Sequence, residues 1–295
     1  MTEIPASHRD LLKGEFATLA TVGPDGRPQL SEVWFLAEGD TVAISLNTSR
    51  QKTKNLRANP AANVFLLDLA AFIRQADAAY DFLRAQPDAD PRRMLVAGHS
   101  EGGMYALLVA GSVSPRPAGL ALIEPQDERF LSLIQLQTAE QLAAMTAQDS
   151  ITAATARRNG QAVRRAIADF RVGRAVVMDG LLPAVVNLLA PTLLSEVNAV
   201  YVRSDDAVYP PGVAARLPHG TRVLVTEGTA DQNVPPSTIT PLVRALAAAG
   251  TTGPGLRTLN GVNHLLHPPG TANDDQVLAP SVVTALQSWA RPYAS

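Results

Sequence analysis

Over residues 16–46 apolar and polar positions alternate in short runs. Residues 16–22 (FATLATV) alternate with a period of two, the turn Gly23-Pro24-Asp25-Gly26 follows, and the alternation resumes over 29–36 and, after a break at Glu38-Gly39-Asp40, over 41–46. Such alternation punctuated by Gly, Pro and Asp predicts antiparallel strands, here a β-meander preceded by a short helix-like piece. Near residue 70 the period changes. Phe72, Ile73, Ala76, Ala79, Tyr80, Phe82 and Leu83 recur at helical spacing and predict a helix over 70–86. Beyond it, short apolar runs at 94–97, 223–225 and 256–259 are separated by helix-like stretches, among them 104–111 and 241–249. The fold class this implies is α/β, a parallel sheet with helices behind an antiparallel segment.

The loops that follow those apolar runs carry the chemistry. Gly98-His99-Ser100-Glu101-Gly102 lies between a predicted strand and a predicted helix, the context of a nucleophile elbow, where a tight turn pushes a serine hydroxyl out of the sheet. Small flanking glycines leave room for backbone to approach. The run 223–225 leads into Glu227-Gly228-Thr229-Ala230-Asp231, and the run 256–259 into Gly261-Val262-Asn263-His264. Ser100, Asp231 and His264 therefore occur in the order nucleophile, acid, base, each in a loop at a strand end. A serine hydroxyl is a weak nucleophile, so an imidazole must take its proton, and a carboxylate must hold the imidazole in the right tautomer. Taken singly, Ser100 also reads as a turn residue, Asp231 as a loop cap and His264 as a surface imidazole.

The stretches GHSEGGMYALLVAG, AGLALIEP, VLVTEGTADQNVP and LNGVNHLLHP make residues 69–295 resemble an α/β-hydrolase of the serine aminopeptidase and esterase-like kind. The resemblance implies Ser100 as nucleophile, Asp231 as acid, His264 as general base and the Glu101 N–H as an oxyanion donor. It also implies that residues 126–199, rich in Leu, Ala and Arg, form a helical cap, and that a small ester or amide is hydrolysed without any cofactor. The first 68 residues are different. FATLATVGPDGRPQLSEVWF and NTSRQKTKNLRANPAANVFLLD resemble the N-terminal half of a pyridoxamine-phosphate-oxidase-like split barrel that binds FMN or F420. That resemblance implies Asn47, Lys52 and Thr53 as cofactor-binding residues, and lysines at a helix N-terminus suit a phosphate. The same run also reads as a solvated basic first turn.

Domain boundaries follow from the join near Asp68-Leu69-Ala70, where half a barrel meets a hydrolase pattern that starts mid-domain. The three lysines, Lys13, Lys52 and Lys54, all precede it, and only arginine is used afterwards. An α/β-hydrolase takes its second oxyanion donor from a loop after an early strand, which this pattern lacks, so weakened hydrolysis is expected. An FMN- or F420-binding oxidoreductase and a non-catalytic fusion product stand as alternatives.

Charge and composition narrow the classes. The 295 residues are 46% hydrophobic with a formal net charge of −2, which suits a globular chain and argues against nucleic acid as a partner. Arg157, Arg158, Arg164 and Arg165 read as a solvated helix face. The absence of cysteine excludes disulfides and thiolate catalysis, and the polar N-terminus lacks a secretory apolar core, which gives cytoplasm as the expected location. Residues 181–194 are interrupted by Pro183, Asn187 and Pro191 and are not read as a membrane span. His264 and His267 lie three apart without an HExxH pattern or a third ligand, so no metal is expected. Dimerisation is left open. Asp205 and Asp206 are weaker candidates for the acid.

Overall fold

The computed structural model describes residue 12 and residues 16–60, 62–66, 69–189, 193–194, 198–272 and 277–294. The helix-like piece at the start, Lys13, Asp68 and Pro191 lie outside the described residues. In chain order the elements are β1 (Phe16–Val22), β2 (Pro28–Trp34), β3 (Leu36–Glu38), β4 (Thr41–Ala43), α1 (Gln51–Ala58), β5 (Ala62–Leu66), α2 (Leu69–Arg84), β6 (Leu95–His99) and α3 (Glu101–Ser112). There follow β7 (Gly119–Ile123), α4 (Phe130–Ala147), α5 (Ala153–Arg171), α6 (Pro183–Leu189), α7 (Ala199–Asp206), α8 (Pro210–Ala214), β8 (Arg222–Gly228), α9 (Thr240–Ala248), β9 (Thr252–Leu259) and α10 (Pro280–Ala290). The chain is α/β, with antiparallel strands first and a four-stranded parallel sheet with helices after them. It divides into two compact units, Met1–Phe72 with Gln161–Asp205, and Ile73–Gly160 with Asp206–Ser295, so that α2, α5 and α7 each cross a unit boundary.

The first unit holds a three-stranded sheet of order β2-β1-β5 and a separate β3-β4 hairpin. This differs from the expected meander. β1 is central because β5, which follows α1, returns antiparallel to it, pairing Ala17 with Leu66 and Thr21 with Ala62. Gly23-Pro24-Asp25-Gly26 is the β1–β2 hairpin turn, closed by Gly23 N–H donating to Arg27 O and Gly26 N–H to Gly23 O. Ala17, Leu19, Val33 and Phe35 form the core, with Leu56 of α1 packed against them. α1 is fixed by one buried polar residue. The Asn55 carboxamide donates to Thr21 Oγ1 (3.1 Å) and Gln29 Oε1 (3.0 Å) and accepts from Gln51 Nε2 (2.9 Å).

The second unit is built on the sheet β6-β7-β8-β9, parallel throughout. The period of two sorts its two faces. Leu120 and Leu122 of β7 with Val223 and Val225 of β8 meet Leu107 of α3 and Leu242 and Leu246 of α9. Ala121, Ile123 and Leu224 point to the other face and meet Trp289 of α10. β7 is therefore buried along its whole length, which explains its unbroken apolar run GLALI. β6 has a strand partner on its β7 side alone among the described residues, and Ala97 is exposed. No helix among the described residues is long and apolar enough to cross a membrane.

Because Asn55 ties α1 to both β1 and the residue that opens on β2, Asn55→Ala leaves Thr21 Oγ1 and Gln29 Oε1 without their donor. We expect this variant to lose about 1–3 kcal/mol of stability, measured by chemical denaturation; an unchanged midpoint would mean that water replaces the carboxamide at no cost.

Candidate functional site

Three loops at the C-terminal ends of parallel strands meet in the second unit. Ser100 stands between β6 and α3 with φ +57° and ψ −125°, a conformation that costs a non-glycine residue about 1–3 kcal/mol. Its backbone is anchored to the neighbouring strand: Ser100 N–H donates to Ile123 O (2.9 Å), and Ser100 O accepts from Gly103 N–H and Gln126 N–H (both 2.9 Å). Gly98 has no space for a side chain, since a Cβ there would lie 1.8 Å from Gly102 O. At Gly103 a Cβ would meet the Pro125 side chain at 2.6 Å, whereas at Gly102 a Cβ meets nothing within 4 Å. The steric need for glycine thus falls on positions 98 and 103, not on both ends of the five-residue motif.

The acid loop leaves β8 at Gly228, whose missing Cβ permits an approach to Val262 O that a Cβ would reach at 2.3 Å. Backbone bonds join this loop to the base loop after β9: Thr229 N–H to Leu259 O and Ala230 N–H to Val262 O, both 3.0 Å. Asp231 is 4% exposed. Its Oδ1 accepts from the N–H groups of Asn233 (2.8 Å) and Val234 (2.9 Å), which aims Oδ2 at His264 Nδ1, 2.8 Å away. His264 Nε2 lies 2.9 Å from Ser100 Oγ. With Nδ1–H donating to the carboxylate, Nε2 is left to accept the serine proton. The structure thus brings Ser100, His264 and Asp231 into one hydrogen-bonded chain.

The residues around this chain are polar and close. His99 Nε2–H donates to His264 O (2.7 Å), and the two rings lie 4.9 Å apart. Desolvation holds the His99 imidazole below its ordinary value, opposed next by the hydrogen bond to the His264 carbonyl, with smaller effects from the nearby His264 ring, which lowers it, and Asp231, which raises it. The Glu101 peptide opens α3 immediately after Ser100, and its carboxylate accepts from Tyr105 Oη. A polar cleft of about 400 Å³, lined by Ala230, Gln232, Asn233, Asn263, His264 and Leu265, opens beside the base. Asp206 is buried elsewhere in the unit and accepts from Leu131 N–H at the start of α4, so it is not the partner of His264. The described residues contain no group of three or more His, Asp or Glu side chains able to hold a metal.

Sequence reasoning missed Glu124. It follows β7 directly at φ +43°, is 2% exposed, and its Oε2 accepts from Gly228 N–H at 2.5 Å. Burial pushes its carboxyl up to about 7 against the Gly228 N–H; the charge of Asp231 adds to the rise and that of His264 opposes it. The available signal was an acid ending an otherwise wholly apolar strand, GLALIE.

In the first unit, Asn47, Lys52 and Thr53 sit around the start of α1. Thr53 Oγ1 donates to Asn47 O (2.8 Å), and Asn47 Oδ1 accepts from Ser49 N–H (2.9 Å) and Oγ (2.8 Å). Two of the three expected cofactor ligands therefore shape the turn before the helix. The first turn carries no acid, with Arg50 at its N-cap and Lys52 half-buried. A helix N-terminus flanked by cations fits the phosphate end of a flavin-type cofactor.

Residues 4–103 match the Pyridoxamine 5'-phosphate oxidase family. The matched range continues past the end of β5 into α3, beyond the expected limit of the half barrel. Among solved structures, an F420 reductase is 37% identical over 23% of this chain and 54% of its own, with a TM-score of 0.22, so the chain spans about half the length of that protein. A monoacylglycerol lipase from Paleococcus ferrophilus is 17% identical over 77% of both chains, with a TM-score of 0.40. Acetyl xylan esterase 1 from Thermoanaerobacterium sp. JW/SL YS485 is 15% identical over 92% of this chain and 68% of its own, with a TM-score of 0.42. No curated protein sequence matches. The family match falls on the segment whose motifs resemble split barrels.

Since a Cβ at position 98 would overlap the Gly102 carbonyl, Gly98→Ala forces the elbow open. We expect Gly102→Ala to leave stability within about 1 kcal/mol, the ordinary range for a helical Gly-to-Ala change, and Gly98→Ala to lower the thermal midpoint clearly. Equal behaviour of the two variants would contradict the steric assignment.

Proposed function

We propose that the second unit hydrolyses a small ester or amide through an acyl-Ser100 intermediate. The observation that supports this best is the unbroken chain from Asp231 Oδ2 through His264 to Ser100 Oγ, at 2.8 and 2.9 Å. In this reading His264 Nε2 takes the Ser100 proton as Oγ attacks the carbonyl carbon, and returns it to the leaving group when the tetrahedral intermediate collapses. Asp231 holds the Nδ1–H tautomer and stabilises the imidazolium without itself taking a proton. Water, deprotonated by the same imidazole, then releases the acid. The Glu101 N–H is the oxyanion donor we assign, because it immediately follows the nucleophile at the start of α3. Working with one assigned donor where two are usual costs about 10²–10³ in rate, so slow turnover is expected.

A fluorophosphonate probe tests the nucleophile without knowledge of the substrate, because Ser100 Oγ displaces fluoride from phosphorus in the same manner. Intact mass should rise by one adduct, Ser100→Ala should show none, and Asp231→Asn should label about 10⁴-fold more slowly. A folded protein that takes no adduct, or a Ser100→Ala variant that labels as before, would remove this reading.

The match of residues 4–103 to the Pyridoxamine 5'-phosphate oxidase family favours a second reading, in which the first unit binds FMN or F420. Arg50, Lys52 and the α1 N-terminus would hold the phosphate, and the bound cofactor would supply redox chemistry. Lys52→Ala should then weaken binding about tenfold or more, the loss of one charge-assisted hydrogen bond, in a fluorescence titration, while leaving Ser100 labelling unchanged. Absence of binding by the unaltered protein would dispose of the second reading.

A further inference from the structure

The carboxyls behind Asp231 have no role in the chain described so far. Glu124 Oε1 and Asp127 Oδ1 are buried and have no hydrogen-bond partner among the described residues, although the second oxygen of each is engaged, Glu124 Oε2 by Gly228 N–H and Asp127 Oδ2 by Thr238 Oγ1. Both residues, with Glu227, line a cavity of about 10 Å³, close to the space one water needs. Its described lining contains no Lys or Arg. Glu227 Oε2 accepts from Thr258 Oγ1 (3.3 Å).

Ionising all of these groups together would bury several negative charges with no fixed cation beside them. Desolvation and like-charge repulsion both oppose that, so protons are retained. A carboxyl that keeps its proton needs an acceptor for it, and Glu124, whose Oε1 is unengaged, lines a cavity with room for a water. Glu124 also holds a non-glycine positive φ at the strand end, and its other oxygen grips the first peptide of the acid loop, three residues before Asp231.

We propose that Glu124 is a positioning residue for the triad: protonated, it fixes the Asp231 loop through Gly228 and donates a hydrogen bond from its carboxyl O–H to a water in the cavity, and on ionising it sets a second negative charge beside Asp231 and His264. This rests on the reading of Ser100, His264 and Asp231 as the hydrolytic chain. The charged groups facing Glu124 are Asp231 and His264, while Asp127 faces Glu128 and Glu227. The charge of His264 acts on Glu124, and by reciprocity the charge of a Glu124 carboxylate acts on His264.

The test is an NMR titration of the full chain carrying ¹³C-labelled glutamate carboxyls and histidine rings. In the unaltered protein one glutamate should remain protonated to about pH 7, and that signal should vanish in Glu124→Gln. In the same variant the change in the His264 ring signals that accompanies ionisation of Glu124 should be lost, with the ring signals of exposed His219 as control. The pH dependence of fluorophosphonate labelling should change in the same variant. If every glutamate of the unaltered protein titrates in the ordinary carboxylate range, the proposal is overturned without recourse to a variant. A folded Glu124→Gln whose His264 curve superimposes on that of the unaltered protein overturns it too. The NMR readout needs no turnover, so coupling seen in a protein that takes no fluorophosphonate would sink the hydrolase reading alone.

Discussion

The second unit depends on one steric condition: Ser100 can hold its left-handed backbone only while its neighbours in space have no side chains. The turn from β6 into α3 brings the carbonyl of Gly102 back over residue 98 and the α3 backbone onto Pro125. Any Cβ at 98 or 103 would push α3 away from the sheet. With both positions empty, Ser100 N–H and C=O reach the end of β7, and Oγ is presented where the base loop arrives. The strain at φ +57° is offset by these three backbone bonds and by the burial of Met104 and Leu107 in the following turns.

The same economy of backbone contact builds the rest of the site. In a parallel sheet all strand C-termini lie at one edge, so loops that are far apart in sequence converge there. Gly228 lets the acid loop touch Val262, and two backbone hydrogen bonds between the loops then fix how far Asp231 stands from His264. Convergence also crowds acids at one place. Glu124, Asp127, Glu227 and Asp231 all lie at or just beyond the ends of β7 and β8. Asp231 differs from the others in receiving two peptide N–H bonds on one oxygen and an imidazole on the other. Hydrogen bonds to the charged form favour ionisation, and burial without them opposes it. Glu124, Asp127 and Glu227, which lack such a set of donors, are instead pushed up by burial.

Much of this unit was legible in the sequence because its signals are local. An apolar run followed by a Gly-marked polar loop identified the strand ends that carry Ser100, Asp231 and His264, and their order identified the pairing. What was not legible depends on distance in space. Whether a glycine is needed at 102 or at 103 is decided by Pro125, which only the folded sheet brings near. Glu124 drew no reading from the sequence, and only the arrival of Gly228 and the cavity beside Asp127 gives its carboxyl a setting. In the first unit the alternation located the strands, but neighbouring order in sequence suggested a meander. β5 displaces that order by pairing with β1 after α1 has crossed over, a choice fixed by Asn55 and the apolar contacts of Leu56.

The strand that carries the nucleophile lies at an edge of the sheet, as β9 does at the other. β7 and β8 are paired on both sides, whereas β6 is paired on its β7 side alone among the described residues. An unpaired edge frays more readily and offers open N–H and C=O groups to other strands. The position of Ser100 therefore rests on β7 more than on β6 itself: Ser100 N–H to Ile123 O and Gln126 N–H to Ser100 O both bind it to the chain that leaves β7. Glu124 lies within that chain, between those two anchors, and also grips the acid loop through Gly228. One short segment, residues 123–126, thus couples the nucleophile to the acid. Movement of the weak edge strand is resisted where it matters, because the buried centre of the sheet, not its edge, carries the joints between Ser100 and Asp231.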